Sequence, residues 1–387
     1  MSRVLVDSGI DWIGKIPCDW NVQPLGLYLK ERKEKVSDKD FEPLSVTKNG
    51  IVPQLENAAK SDAHDDRKKV CKFDFVINSR SDRKQSCGLS YLDGSVSLIN
   101  IVLRIYNYYP EYIKYTLDNN MFAEEFYRNG HGIVADLWTT KFSEMKHIRI
   151  PEPRYIEQKK IADYLDKKCL KIDEIIKDNN KEIELLEEYK RSLINENIYF
   201  HYSDVIKLKY VVNVRNEKGK SVNSMDFISL ENIESGTGKY IATETDYTNC
   251  DGNIFKKGDL LINKLRPYLA KSYLAEFDGV CTSEMVVVSH FEGNMDYLKY
   301  FTLSPKYIDV VNSSTYGTKM PRASWDFIKN LKMPYISLNE QNRIVSLISS
   351  KLCKLDQVID YRKQIIEKLE EYKNSLIYEC VTGKREV

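Results

Sequence analysis

The sequence predicts an α+β protein in which two α/β modules alternate with two long helices. Three observations carry this. Residues 157–196 and 340–379 are copies of one another, 183 residues apart without a gap and with about 18 of 40 positions identical. Each copy lies in a stretch that contains neither Pro nor Gly, from Ile156 to Tyr199 and from Leu338 to Val381. The remaining segments carry short apolar runs separated by turn dipeptides, the pattern of strands.

A chain of 387 residues suits two or three domains at roughly 150 residues each. With 42% hydrophobic and 30% charged residues it can bury a core, which excludes a disordered or fibrous chain. No run of about 18 apolar residues exists, so no membrane span is expected. The first residues show no apolar stretch ending in a small-residue cleavage site, so no secretory signal is expected. The eight cysteines form no CxxC pair. Reduced thiols and a cytoplasmic location are expected, without a metal site or a disulfide framework. The net charge of +1 excludes a globally basic coat for nucleic acid but leaves room for a local basic face.

In chain order, residues 1–153 form the first module, 154–200 the first spacer helix, 201–336 the second module, and 337–387 the second spacer helix with a C-terminal tail. In the modules, Phe73–Asn78, Val96–Tyr106, Phe227–Leu230, Asp259–Asn263 and Met285–Ser289 read as strands. Asn49-Gly50, Asp93-Gly94, Asp251-Gly252 and Asp278-Gly279 read as turns. A shorter amphipathic helix follows near Glu111–Arg128 and again near Asn294–Val311. The repeat reaches into the modules at an offset of 185 residues: Val76-Ile77-Asn78 answers Leu261-Ile262-Asn263, and Gly132 answers Gly317.

The long helices follow Pro151 and Pro153 in one copy and Pro334 in the other, where a helix can begin. Some 40 residues at about 1.5 Å each make a rod of roughly 60 Å. One apolar seam runs through Leu165, Ile172, Asn179, Leu186 and Leu193, and in the second copy through Ile348, Leu355, Arg362, Leu369 and Leu376. A companion seam runs through Ile161, Lys168, Ile175, Glu182 and Tyr189, and through Ile344, Lys351, Val358, Ile365 and Tyr372. Ile176, Ile183, Ile194, Ile359, Ile366 and Ile377 widen the stripe beyond a two-helix contact. Two core helices of one large domain would show a similar stripe. A rod of this length exceeds the width of such a domain, which favours a paired spacer.

No catalytic set is legible. Gly236-Thr237-Gly238-Lys239 resembles the tail of a phosphate loop, but the earlier Gly is missing and Tyr240 stands where a Ser or Thr should be. It reads as a turn. The five histidines, His64, His131, His147, His201 and His290, show no ligand spacing. What recurs is basic residues after a strand: Arg80, Arg83 and Lys84 after Val76–Ser79, and Lys264, Arg266, Tyr268 and Lys271 after Leu261–Asn263. A second recurrence follows the short helix, with Arg128 to Gly132 around His131 in one module and Tyr316 to Arg322, including Lys319, in the other. Solvated turns would look the same singly. Their recurrence at matched positions fits loops that contact phosphates and base edges.

These residues resemble the specificity subunit of type I restriction–modification systems. The resemblance lies in Asp7-Ser8-Gly9-Ile10-Asp11-Trp12-Ile13-Gly14-Lys15-Ile16-Pro17-Cys18-Asp19-Trp20, in Glu157-Gln158 with Ile161-Ala162 and Leu165-Asp166, in the doubled Leu-Glu-Glu-Tyr-Lys-x-Ser-Leu-Ile, and in Val381-Thr382-Gly383-Lys384. It covers nearly the whole chain and is weak in the modules. The first module departs from the family pattern twice, with Gly-His-Gly-Ile-Val-Ala-Asp-Leu-Trp from Gly130 and with Phe73-Asp74 where the second has Gly258-Asp259.

The resemblance implies two target-recognition domains, each reading one half of a split, asymmetric site in double-stranded DNA. It implies two long helices packed antiparallel in a coiled coil, docking for two methyltransferase (modification) subunits, and restriction subunits in the full complex. The subunit itself would be non-catalytic and without a cofactor. Two other readings stay open: a coiled-coil scaffold without DNA readout, and a self-sufficient DNA-modifying enzyme.

Overall fold

The computed structural model describes residues 3–54, 66–132, 138–199, 204–223, 226–317 and 319–387. The chain folds as two compact units, Met1–Asp178 with Gln364–Val387, and Asn179–Lys363. The division falls inside the long helices rather than at the ends of the modules, so each unit owns a module and half of each helix.

In the first unit an antiparallel sheet runs in the order Cys87–Leu89, Phe75–Asn78, Asn100–Ile105, Leu29–Glu31. In the second unit Ser272–Leu274, Leu260–Asn263, Met285–Phe291 and Val212–Arg215 take the same order. The central strand, Phe75–Asn78 in one unit and Leu260–Asn263 in the other, is apolar up to its final Asn because both faces are covered. Phe75 and Ile77 join the core under the helices, while Val76 turns to a second core with Val70, Val96 and Val102. Leu260 and Ile262 divide from Leu261 in the same way. The second layer is Gly94–Ser97, Arg67–Val70, Lys35–Val36 in one unit. In the other it is Lys218–Lys220, Asp251–Phe255, Gly279–Cys281, Phe227–Ile228, with the last pair parallel.

The run Val96–Tyr106 is two strands rather than one. The expected single helix is also double in each unit. The first unit has α1 (Pro110–Leu117), α2 (Asn120–Arg128) and α3 (Phe142–Met145). After α4 (Tyr155–Tyr199), the second has α5 (Met295–Leu303), α6 (Pro305–Ser313) and α7 (Trp325–Ile328), and α8 (Leu338–Val381) follows. The breaks have local causes. Asn119 leaves helical geometry and its side chain accepts from Phe122 N at 2.9 Å, capping α2. Pro305, with no N–H to give, opens α6.

One glutamine ties each long helix to its module. Gln158 accepts from the Tyr109 amide (2.8 Å) and donates to the Pro153 carbonyl, and Gln341 does the same for the Asn294 amide (2.8 Å) and the Ile336 carbonyl. In the first unit the N-terminal segment docks on the end of α8. Tyr378 Oη and Lys384 Nζ both donate to the Ile13 carbonyl, at 3.0 and 2.8 Å. Gly383 has φ +70°, and a Cβ there would stand 2.5 Å from Pro17.

The helices pack antiparallel in both units. Ile161, Leu165 and Ile172 share the first core with Leu376 and Val381, while Ile194 and Ile198 share the second with Ile344 and Ile348. Leu193 is also buried, and Leu186, Leu355 and Leu369 are half-buried. The companion seam faces inward at Ile161 and Ile344 and is half-buried at Ile365, but along the rest of its length the inward flank is the other one. Ile175, Tyr189, Val358 and Tyr372 are 43–50% exposed. Cys169, Ile176, Ile183 and Lys190 face inward instead, with Leu352, Ile359, Ile366 and Lys373 in the second copy. The reason is charge. On the inward flank Lys190 meets Asp356 at 2.7 Å and Lys373 meets Asp173 at 2.6 Å, whereas of the charges in the outward row Glu182 reaches only the edge of the seam, at Arg362.

At mid-seam, Arg362 donates to Asn179 Oδ1 at 2.9 Å and pairs with Glu182. Replacing both Asn179 and Arg362 by Leu is expected to leave stability unchanged or raise it by about 1 kcal/mol, because apolar packing replaces desolvated polar groups. A urea midpoint at least as high as that of the parent checks this; a clear drop would mean that the pair is a net stabiliser.

Candidate nucleic-acid interface

In both modules the central strand ends in a buried Asn that shapes the loop after it. Asn78 Oδ1 accepts from the Arg80 amide at 3.0 Å, and Asn263 Oδ1 accepts from the Leu265 amide at 2.8 Å. This turn aims the loop across the segment that follows the helices. Arg80 pairs as a β-bridge with Thr139, and Thr139 with His131, through hydrogen bonds of 2.9 and 3.0 Å. Leu265 pairs with Arg322, and Arg322 with Tyr316, at 3.1 and 3.0 Å. Two recurrences far apart in sequence thus become one ladder of two rungs joining three residues, built twice.

The side chains on the two ladders differ. In the first module Arg80, Arg83, Lys84 and His131 are all exposed. Lys84 leans towards α2 and pairs with Glu124 at 3.0 Å. Residues 133–137, which hold most of the departure from the family pattern, lie outside the described residues, as do His64 and His201. In the second module Tyr268 and Lys319 are exposed, and Lys264, Arg266, Lys271 and Arg322 are half-buried. Lys271 turns inward and donates to the Leu230 carbonyl at 2.6 Å, and burial lowers its pKa. Arg322 grips Glu284 with two nitrogens, at 2.8 and 3.1 Å, and that hydrogen bonding holds the carboxyl below its usual range.

Glu284 was not legible as a member of this patch. It follows a different strand turn, and only the fold brings it to Arg322. The buried ion pairs beneath the sheet were equally hidden. Arg32 pairs with Asp74 at 2.7 Å and Arg215 with Asp259 at 2.9 Å, at equivalent places of the repeat. Phe73, at the position of Gly258, adopts the same left-handed backbone (φ 67° and 91°), so the chain path survives the lost glycine.

Gly236-Thr237-Gly238-Lys239 is a turn, closed by the Ile233–Tyr240 bridge, and Lys239 pairs with Asp356 at 2.6 Å. Among the described residues no group of three or more His, Cys, Asp or Glu is placed to hold a metal ion. No described helix is long and apolar enough to cross a membrane.

The family model for the type I restriction modification DNA specificity domain matches residues 202–371. Similar curated proteins include the type I restriction enzyme EcoDI specificity subunit of Escherichia coli, 22% identical over 160 residues, 41% of this chain and 36% of that protein. The type I restriction enzyme MjaVIII specificity subunit of Methanocaldococcus jannaschii is 25% identical over 281 residues, 62% of each chain. The match therefore spans less than two thirds of either relative. A solved structure described as "Structural basis underlying complex assembly and conformational transition of the type I R-M system" is similar in fold. Its TM-score is 0.74 at 13% identity, over 96% of this chain and 99% of that one.

Proposed function

We propose, from the match of residues 202–371 to the type I restriction modification DNA specificity domain, that the chain is a specificity subunit of that family and that each of its modules reads one half of a split, asymmetric site in duplex DNA. The observation that supports this reading best is the doubled ladder: one backbone arrangement carrying Arg80, Thr139 and His131 in one module and Leu265, Arg322 and Tyr316 in the other. A shared frame with different side chains is what two readers of different sequences require, since backbone contacts position and side chains specify. A single chain with two unlike readers needs no palindrome. The paired helices then act as a spacer of fixed length.

Methyl transfer and cleavage fall to partner subunits, and this chain contributes recognition without a catalytic group or a cofactor of its own. The outward row of Ile175 and Tyr189 recurs as Val358 and Tyr372, which suits two copies of one partner, the modification subunit. Restriction subunits join that complex, in the cytoplasm. The net charge of +1 implies weak counterion release and hence modest DNA affinity for the lone chain.

Methylation mapping across a genome that carries this chain and its modification subunits tests the reading. A two-part motif with a constant gap is expected. A single uninterrupted motif, or none, would refute it.

A further inference from the structure

We propose that Arg266 is the specificity-determining residue with which the second module reads a guanine from the major groove. This deepens the reading of the ladder as a DNA-facing element and rests on it. Three observations converge on this side chain. Its backbone is left-handed, φ 50° and ψ 63°, a conformation that β-carbon sterics disfavour for anything but glycine. The framework of the loop does not require this. Later in the same loop Gln85 and Ala270 are both left-handed at equivalent places of the repeat, at φ 61° and 47°. Ser81, which matches Arg266, is not among the residues with positive φ.

The second observation is polar. Nε of Arg266 is buried with no hydrogen-bond partner among the described residues. Buried donors are nearly always paired, so an open one calls for an explanation, and a bound partner is one. The third is the state of its neighbours. Arg322 is committed to Glu284 and Lys271 to the Leu230 carbonyl. Arg266 therefore offers a guanidinium next to the ladder, one residue beyond Leu265, with its amide fixed to the Pro321 carbonyl at 2.7 Å. A planar fork held in that way matches the paired acceptors O6 and N7 of guanine, which no other base presents. The first module has a serine there, so its half-site need not carry this guanine.

The test uses the complex with the modification subunits and two variants, Arg266→Gly and Arg266→Lys. Glycine suits the left-handed backbone, so Arg266→Gly should melt no lower than the parent while methylation loses its preference for one guanine in one half-site, by roughly ten- to hundredfold. Arg266→Lys keeps the charge but not the fork and should relax the same position. An unchanged motif in both variants overturns the proposal. So does uniformly weaker binding to all sequences, which would make Arg266 a phosphate contact. If Arg266→Gly fails to fold, the lysine variant decides alone. A parent complex that shows no two-part motif would instead refute the underlying reading of the ladder.

Discussion

Replacing Asp259 by alanine is expected to cost the second unit about 3–5 kcal/mol, the usual effect of removing one partner from a buried ion pair. Asp259 is 3% exposed and accepts from Arg215 Nε at 2.9 Å and from the Lys256 amide at 2.9 Å. Its loss leaves the Arg215 guanidinium, itself largely buried, with only the exposed Glu217 nearby, and orphans a turn amide at the start of the central strand. That strand ends in Asn263, which shapes the ladder, so the damage should reach the recognition loop. Urea unfolding of the full chain checks the magnitude. A loss under about 1 kcal/mol would show that water reaches the pair and screens it. The double change of Arg215 to Met and Asp259 to Leu should recover most of the loss, because the charge left stranded by the single substitution is then gone as well.

Exchanging residues 201–336 for the corresponding module of a relative is expected to change one half of the methylated motif and leave the other half and the gap as they were. Each mismatched base pair costs about 1–3 kcal/mol, so a wholly changed half-site should be discriminated by roughly a thousandfold or more. The expectation follows from the build of the second unit, whose ladder, sheet and core all come from the contiguous stretch Asn179–Lys363. Long-read methylation mapping of the exchanged complex gives the answer. Changes in both halves would mean that the readers are not independent.

Much of this architecture is legible in the sequence because helices of this length repeat their apolar positions many times. The row Leu165, Ile172, Asn179, Leu186, Leu193 is read from spacing alone. Its flank is not, since apolar residues stand on both sides. Whether Tyr189 or Lys190 faces inward is decided by the carboxylate of Asp356, more than 160 residues away in the chain. The breaks at Asn119 and Pro305 were visible as residues but not as breaks, because an apolar period bridges them. The ladder partly escaped for a related reason. Both recurrences could be seen, but not that Arg80 and His131 meet across Thr139, since pairing between loops leaves no periodic trace. The engagement of Arg322 by Glu284 and of Lys271 by a carbonyl likewise depends on the fold, and it changes which cations are left to meet a ligand.

The first unit needs Gln364–Val387 to complete it, whereas the second is contiguous. Vectorial synthesis therefore inverts the usual order in which earlier domains fold first. The later-made half can mature on the ribosome while the earlier-made half waits, its apolar surface uncovered, for the closing helical turns to emerge from the exit tunnel. A nascent chain arrested shortly before that point would hold one finished reader and one client for chaperones.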